Sequence, residues 1–262
     1  MVERGLAESR SLAQKLIMAG EVRVGGQVVY KPATPVSTDS RLEVDSGPRY
    51  VSRGGEKLEA AFNAWPIDVA GCICADVGAS TGGFTDCLLQ HGAAKVYAID
   101  VGKGILHWKM RSDPRVVVME NTNARFVESL PELVQWIVCD ASFISLKILL
   151  PVMKKWTPLR LPLNSSNLGG EQEVGEIIVL VKPQFEAGRK ESAKGEGVIR
   201  DPEVHRRVLL DVLTFAQNEG FTVHGLIRSP ILGPKGNVEF LAWLSTAGTP
   251  SQEINEMVQP LF

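Results

Sequence analysis

Between residues 71 and 245 short apolar runs alternate with helical patterns, and this alternation limits the possible folds more than any other feature. The strand-like runs are 71–77 (GCICADV), 94–100 (AKVYAID), 115–119 (RVVVM), 134–140 (VQWIVCD), 176–182 (EIIVLVK), 221–228 (FTVHGLIR) and 237–245 (NVEFLAWLS). Helical patterns cover 84–91, 145–156 and 201–219, the last opened by Asp201-Pro202 and closed by Gly220. Strands separated by helices predict a doubly wound α/β fold, a mostly parallel sheet that takes its ligands at the strand carboxyl ends.

A smaller unit precedes the sheet. Residues 7–19 pattern as a helix with Ala13, Leu16 and Ile17 on one face and Gly20 as its stop. Val22-Arg23-Val24, the turn Gly25-Gly26 and Gln27-Val28-Val29 then predict a hairpin. Pro32, Pro35 and the run Asp45-Ser46-Gly47-Pro48 mark a boundary. The expected division is a small unit at 1–48, a linker at 49–60 carrying Lys57, and a large unit at 61–247. A polar insertion is expected at 157–175 and a tail at 248–262. The net charge of -2 hides an asymmetry. Through Lys57 nine Lys and Arg oppose seven Asp and Glu, giving +2, while nineteen oppose twenty-three in the remainder, giving −4. No apolar run reaches the ~18 residues of a membrane helix, and the first residues lack a signal-peptide core. Cys72, Cys74, Cys87 and Cys139 lack C-x-x-C spacing, so strand alternation explains Cys72 and Cys74 better than metal ligation does. A protein of the reducing cytoplasm is expected, without metal and without membrane.

The first large-unit strand runs into Asp76-Val77-Gly78-Ala79-Ser80-Thr81-Gly82-Gly83-Phe84, and the second ends at Asp100. Glycines in such a loop admit a ligand close to the backbone, and an acid at the next strand end can accept both hydroxyls of a ribose. Other readings of the loop compete. No Lys-Ser or Lys-Thr follows, which excludes a P-loop, and Ser80 stands where an NAD fingerprint needs its second glycine. G-x-S-x-G also fits a hydrolase nucleophile elbow, with Ser80 as nucleophile and Asp140 plus His205 or His224 as partners. That reading leaves Asp100 and Lys182 without a role.

Later strand ends carry polar groups in apolar surroundings. Asp140 and Lys182 close their strands, Glu239 interrupts V-E-F-L-A-W-L, and Lys57 precedes the sheet in S-R-G-G-E-K-L. Such groups are costly to bury singly, so one shared polar cleft accounts for all four.

These strings resemble a known family. D-V-G-A-S-T-G-G-F-T-D, N-A-R, C-D-A-S-F-I-S-L, V-K-P-Q-F-E-A-G-R, G-V-I-R-D-P-E-V-H and G-N-V-E-F-L are similar to the FtsJ-like ribosomal RNA 2′-O-methyltransferases. The first forty residues resemble an S4 RNA-binding domain, and the combination is similar to the TlyA group, often labelled hemolysins. The resemblance implies a Rossmann-like S-adenosylmethionine methyltransferase domain with a seven-stranded sheet behind a small α+β S4 domain. It also implies an apolar-basic segment ahead of Val2, so the S4 start is expected to be shortened. Its Lys-Asp-Lys-Glu tetrad falls on Lys57, Asp140, Lys182 and Glu239, with Lys182 as general base. S-adenosylmethionine is implied as cofactor, held by Asp76, Gly78, Ser80, Thr81, Gly82, Gly83, Phe84, Asp100, Val101, Asn121, Asn123 and Asp140. Where the family commonly has an aromatic between glycines after that acid, this chain has Lys103. RNA contacts are implied for Arg10, Lys15, Arg23 and Lys31, and expected for Arg53, Arg189, Lys190 and Arg200. The implied substrate is a cytidine ribose in ribosomal RNA or a ribosomal subunit, acted on by a monomer. A serine hydrolase or a non-catalytic RNA-binding protein is the alternative; a membrane-active hemolysin ranks last.

Overall fold

In a computed structural model, the described residues are 1–44, 47–158, 174–188, 191, 195–247 and 253–262. Packing divides the chain into Met1–Arg49 and Tyr50–Phe262. Most of the 157–175 insertion, with Arg189, Lys190 and Lys194, lies outside the described residues.

In the small unit helix α1 (Arg10–Met18) begins at Ser9, whose hydroxyl accepts the Leu12 N–H at 3.2 Å. Strands β1 (Val22–Val24) and β2 (Gln27–Val28) pair antiparallel across Gly25-Gly26, both at positive φ as a two-residue hairpin requires. A third strand, β3 (Leu42–Val44), pairs with the other edge of β1. It was not expected, because three residues are too few to show alternation. Arg10, Lys15 and Lys31 are exposed and Arg23 is half-buried.

The large unit opens with helix α2 (Gly54–Ala64), so the segment expected as a linker is instead part of the domain, and Lys57 lies on a helix. Its two leading glycines argue against a helix by propensity, but packing decides. A Cβ on Gly83 would lie 2.4 Å from Ser52 Oγ and 2.8 Å from Gly55 N, so only a glycine there lets α2 seat on α3 (Gly83–Gln90).

The sheet holds β4 (Ile73–Val77), β5 (Lys95–Ile99), β6 (Val116–Met119), β7 (Trp136–Cys139), β8 (Glu176–Val181), β9 (Thr222–Arg228) and β10 (Phe240–Ser245). Their order is β6-β5-β4-β7-β8-β10-β9, parallel except for β10, which pairs antiparallel with both neighbours. Seven expected strands thus appear within a few residues of their predicted limits. Helices α4 (Trp108–Arg111), α5 (Leu146–Met153), α6 (Pro183–Glu186), α7 (Pro202–Asn218) and α8 (Ile254–Val258) follow along the chain. The last helix lies in the expected tail and buries Ile254, Met257 and Val258 in the core.

Alternation along the strands feeds two cores. Ala75, Val77, Ile177 and Val179 join α5, α7 and α8 on one face, while Cys74, Val138, Ile178 and Leu180 join α2 and α3 on the other. Strand order reverses direction at β4, and the crevice of such a sheet opens at the carboxyl ends beside that point. No described helix is long and apolar enough to cross a membrane.

Candidate active site

Four polar side chains converge where β7 and β8 end and β10 begins. The antiparallel insertion of β10 makes this possible: Phe240 pairs with Val181, so Glu239 before one strand and Lys182 after the other come to the same end of the sheet. Asp140 receives both lysines. Lys182 Nζ lies 2.5 Å from its Oδ1, and Lys57 Nζ lies 3.5 Å from its Oδ2. Lys57 also donates to Glu239 Oε2 at 2.7 Å, and Lys182 to Ser142 Oγ at 2.9 Å and the Asp140 carbonyl at 3.3 Å. Lys57, Lys182 and Glu239 are buried at 8 %, 6 % and 1 % exposure, which only mutual charge compensation makes tolerable. The expected shared cleft is therefore present.

Two cavities flank Asp140. One, of about 310 Å³, is lined by Ser52, Arg53, Lys57, Thr81, Phe84 and Leu232 among others. The second, of about 250 Å³, is lined by Ile99, Asp100, Val101, Thr122, Asn123, Ala141, Ser142, Phe143 and Leu149 among others. Gly78, Ser80 and Asp140 line both. Gly78 has φ 84°, and a Cβ there would sit 2.8 Å from the Asp140 carbonyl oxygen, so the loop lies against the end of β7 only as glycine. Asp100 fixes the loop from the other side, accepting Ser80 N–H at 2.8 Å through Oδ2 and Gly102 N–H at 2.7 Å through Oδ1. A carboxylate has about four lone-pair positions, so it retains capacity for hydroxyl donors in the cavity.

Three of the residues expected around the cofactor line neither cavity. Asp76 is fully buried beneath the loop, where its Oδ2 accepts from Thr85 Oγ1 at 2.6 Å and its Oδ1 has no hydrogen-bond partner among the described residues. Burial pushes its carboxyl up to about 7. Gly82 is the left-handed residue that starts α3, against Leu106 and Met110. Asn121 is exposed, whereas Asn123 lines the cavity, its Oδ1 accepting from Arg125 N–H at 3.2 Å.

Of the nucleophile-elbow partners, Asp140 lines both cavities with Ser80, but neither histidine lines either one. His205 Nε2 bonds the Ile199 carbonyl at 2.9 Å, and His224 Nε2 bonds Ser245 Oγ at 2.6 Å. His224 sits on edge strand β9, four places from β4 in the sheet and hence roughly 19 Å from the loop that carries Ser80.

Sequence reading missed three contributors. Ser142 holds Lys182. Phe143, 91 % exposed with φ 64°, stands at the mouth of the second cavity, 5.0 Å from the Phe185 ring. Both were visible in C-D-A-S-F, immediately after the acid. Glu186 accepts Ser145 Oγ at 2.6 Å and Leu146 N–H at 2.8 Å, tying the helix after Lys182 to the segment after Asp140. Burial raises its carboxyl above the usual range.

This sheet order with one antiparallel strand, a glycine loop after β4 and an acid after β5 define a class of group-transfer enzymes. The FtsJ-like methyltransferase family matches residues 50–246, and the S4 domain matches residues 1–42. The chain belongs to the FtsJ-like methyltransferases and carries an S4 domain ahead of the catalytic one. It is 46 % identical over 250 residues to the 16S/23S rRNA (cytidine-2′-O)-methyltransferase TlyA of Mycobacterium tuberculosis, covering 94 % of this chain and 88 % of that protein. It is 43 % identical over 244 residues to Hemolysin A of Brachyspira hyodysenteriae, covering 91 % and 94 %. The crystal structure of a hemolysin-named protein from Lactococcus lactis superposes with a TM-score of 0.72 at 43 % identity, over 82 % of this chain and 99 % of that one.

Proposed function

We propose that this protein transfers a methyl group from S-adenosylmethionine to a ribose 2′-hydroxyl of ribosomal RNA, with cytidine as the nucleotide. The observation that carries the reading is the placement of Asp140, which lines both cavities and binds both buried lysines. The nucleotide and the ribosomal substrate come from the relatives named above, whose S4-plus-methyltransferase organisation this chain shares.

The residues present suit the cofactor. The smaller cavity pairs apolar walls from Ile99, Val101 and Leu149 with hydrogen-bonding groups on Asp100, Thr122 and Asn123. That combination suits an adenosyl group, with Asp100 on the ribose hydroxyls and the amide of Asn123 toward the base. The larger cavity, with the Gly78–Thr81 loop on one wall and Lys57 on another, leaves room for the amino-acid portion and the incoming ribose. When bound, S-adenosylmethionine supplies a methyl group made electrophilic by its sulfonium.

The chain supplies the proton acceptor and the field. A ribose hydroxyl is a weak acid, so its attack needs a base at hydrogen-bond reach. Acting as the neutral amine, Lys182 Nζ takes that proton, and Asp140, 2.5 Å away, compensates the ammonium that forms. Lys57, held by Glu239, presents a fixed positive charge toward the oxygen as it gains negative charge. Arg53, exposed on the cavity rim, and Arg200, exposed after the segment that follows α6, are available for phosphates. Arg10, Lys15, Arg23 and Lys31 of the small unit hold structured RNA.

The reading is tested with Lys182→Ala, measuring cofactor affinity by calorimetry and methyl transfer to ribosomal RNA with labelled cofactor. Transfer falls at least about 100-fold, while the cofactor Kd stays within a fewfold of wild type. A folded variant that retains transfer removes Lys182 as the base.

A further inference from the structure

The proposed reaction uses the cavities but leaves one conspicuous surface without a role. Trp108 is 72 % exposed, although it lies in a well-packed part of the large unit. Its neighbours explain the orientation. Leu106 and Met110 turn inward and pack on Gly82 of the glycine loop, which directs Trp108, two residues from each, to the outside. The segment is also anchored to that loop through the backbone: His107 N–H donates to the Thr81 carbonyl at 3.1 Å, and Thr81 lines the larger cavity. His107 Nδ1 in turn accepts the Lys109 N–H at 3.2 Å. The indole thus faces outward from a segment anchored to the loop that lines the larger cavity.

The segment that carries it has charge of one sign. Between Val101 and Ser112 the chain carries Lys103, Lys109 and Arg111 and no acid. Lys109 and Arg111 reach Asp86 at 3.4 Å and Glu120 at 2.8 Å, but those carboxylates are 2 % and 13 % exposed while the two cations are 54 % and 41 % exposed. Lys103 is exposed and has no ion pair among the described residues. A flat aromatic surface flanked by cations is what an unpaired nucleotide needs: a π-face for the base and positive charge for the phosphates. An apolar protein partner would gain nothing from the three cations.

We infer that Trp108 is a stacking platform for an unpaired base of the RNA substrate outside the methylated nucleotide, with Lys103, Lys109 and Arg111 holding the adjoining phosphates. This rests on the proposed RNA substrate and assigns it a second contact, on the catalytic unit itself. Trp108 is a binding residue here and takes no part in the chemistry.

The test uses the full chain with transcripts of the ribosomal RNAs. Trp108→Ala, Trp108→Phe and Lys103→Glu are compared with wild type for RNA Kd, KM and kcat, for S-adenosylmethionine Kd and for molecular mass by light scattering. Trp108→Ala raises the RNA Kd and KM at least about fivefold, the lower end of what the loss of one stacked base costs. Cofactor Kd and mass stay unchanged, and Trp108→Phe restores most of the affinity because the ring remains. Lys103→Glu weakens RNA binding at low salt and less so at high salt. An RNA Kd for Trp108→Ala within twofold of wild type overturns the inference. So does a parallel loss of cofactor binding, which would make Trp108 a support of the glycine loop, or a change of mass, which would make it a contact between copies. A wild-type protein that neither binds nor methylates ribosomal RNA removes the proposed function as well, whereas active wild type beside an unaffected Trp108→Ala removes this inference alone.

Discussion

Lys57 and Glu239 are 182 residues apart in the chain, yet their charged ends meet at 2.7 Å in a place where the carboxylate is sealed from solvent. Neither could be buried there alone. Because Lys57 also reaches Asp140, its position at the cavity depends on a residue that itself lies behind the cavity wall.

Glu239→Gln tests that dependence. Removing one charge of a buried pair typically costs about 3–5 kcal/mol, and the remaining amide carbonyl offsets part of this. The expected result is a lowered melting temperature and methyl transfer reduced about tenfold or more, with cofactor Kd close to wild type because Glu239 touches neither Asp100 nor the smaller cavity. Calorimetry and single-turnover transfer separate the two effects. Unchanged transfer would show that Lys57 needs no buried anion.

Asp100→Ala separates cofactor binding from chemistry. The substitution removes the acceptor of two backbone N–H groups, those of Ser80 and Gly102, and with it the predicted acceptor for ribose hydroxyls. Hydrogen bonds to charged groups contribute about 1.5–3 kcal/mol each, so cofactor Kd should rise at least about tenfold. Transfer at saturating cofactor should fall much less. A variant that binds cofactor normally but cannot transfer would move Asp100 into the chemistry.

Asp76 predicts a pH dependence of stability. Its folded carboxyl is raised to about 7 from an ordinary value of 3.8. Between those values the folded state holds a proton that the unfolded state has lost, so this group makes the protein progressively less stable as pH rises from about 4 to about 7. Above about 7 the full cost of a buried, half-satisfied carboxylate is present, a few kcal/mol by the ~1.4 kcal/mol per pH unit of linkage. Asp76→Asn keeps an acceptor for Thr85 and removes the titration. Urea unfolding should therefore show a stability gain that is near zero at pH 4, grows through pH 6 and levels off above pH 7. A gain independent of pH would contradict the burial account.

Much of this arrangement is legible in the sequence because each strand ends in a residue its apolar run cannot explain. Asp140 after W-I-V-C and Lys182 after I-I-V-L-V announce themselves, and so does Glu239 in V-E-F-L. Residues whose position depends on long-range packing were harder to place. Lys57 reads as linker because Gly54-Gly55 is a poor way to begin a helix, and only the seat on Gly83 makes it one. Asp76 reads as a ligand because it opens the glycine motif, but sheet register turns it into the interior. Asn121 and Asn123 are equivalent in sequence and differ only in which one the turn after β6 presents to the cavity. Phe143 carries no sequence signal of its positive φ, since that conformation is imposed by the segment between Asp140 and the start of α5.

The most direct test of the whole account is mass-spectrometric mapping of 2′-O-methylated nucleosides in ribosomal RNA and ribosomal subunits incubated with the protein and S-adenosylmethionine. Wild type should leave new 2′-O-methylcytidine at a defined position and Lys182→Ala none. Methylation on a base, or no methylation of any ribosomal substrate by a protein that binds the cofactor, would contradict it.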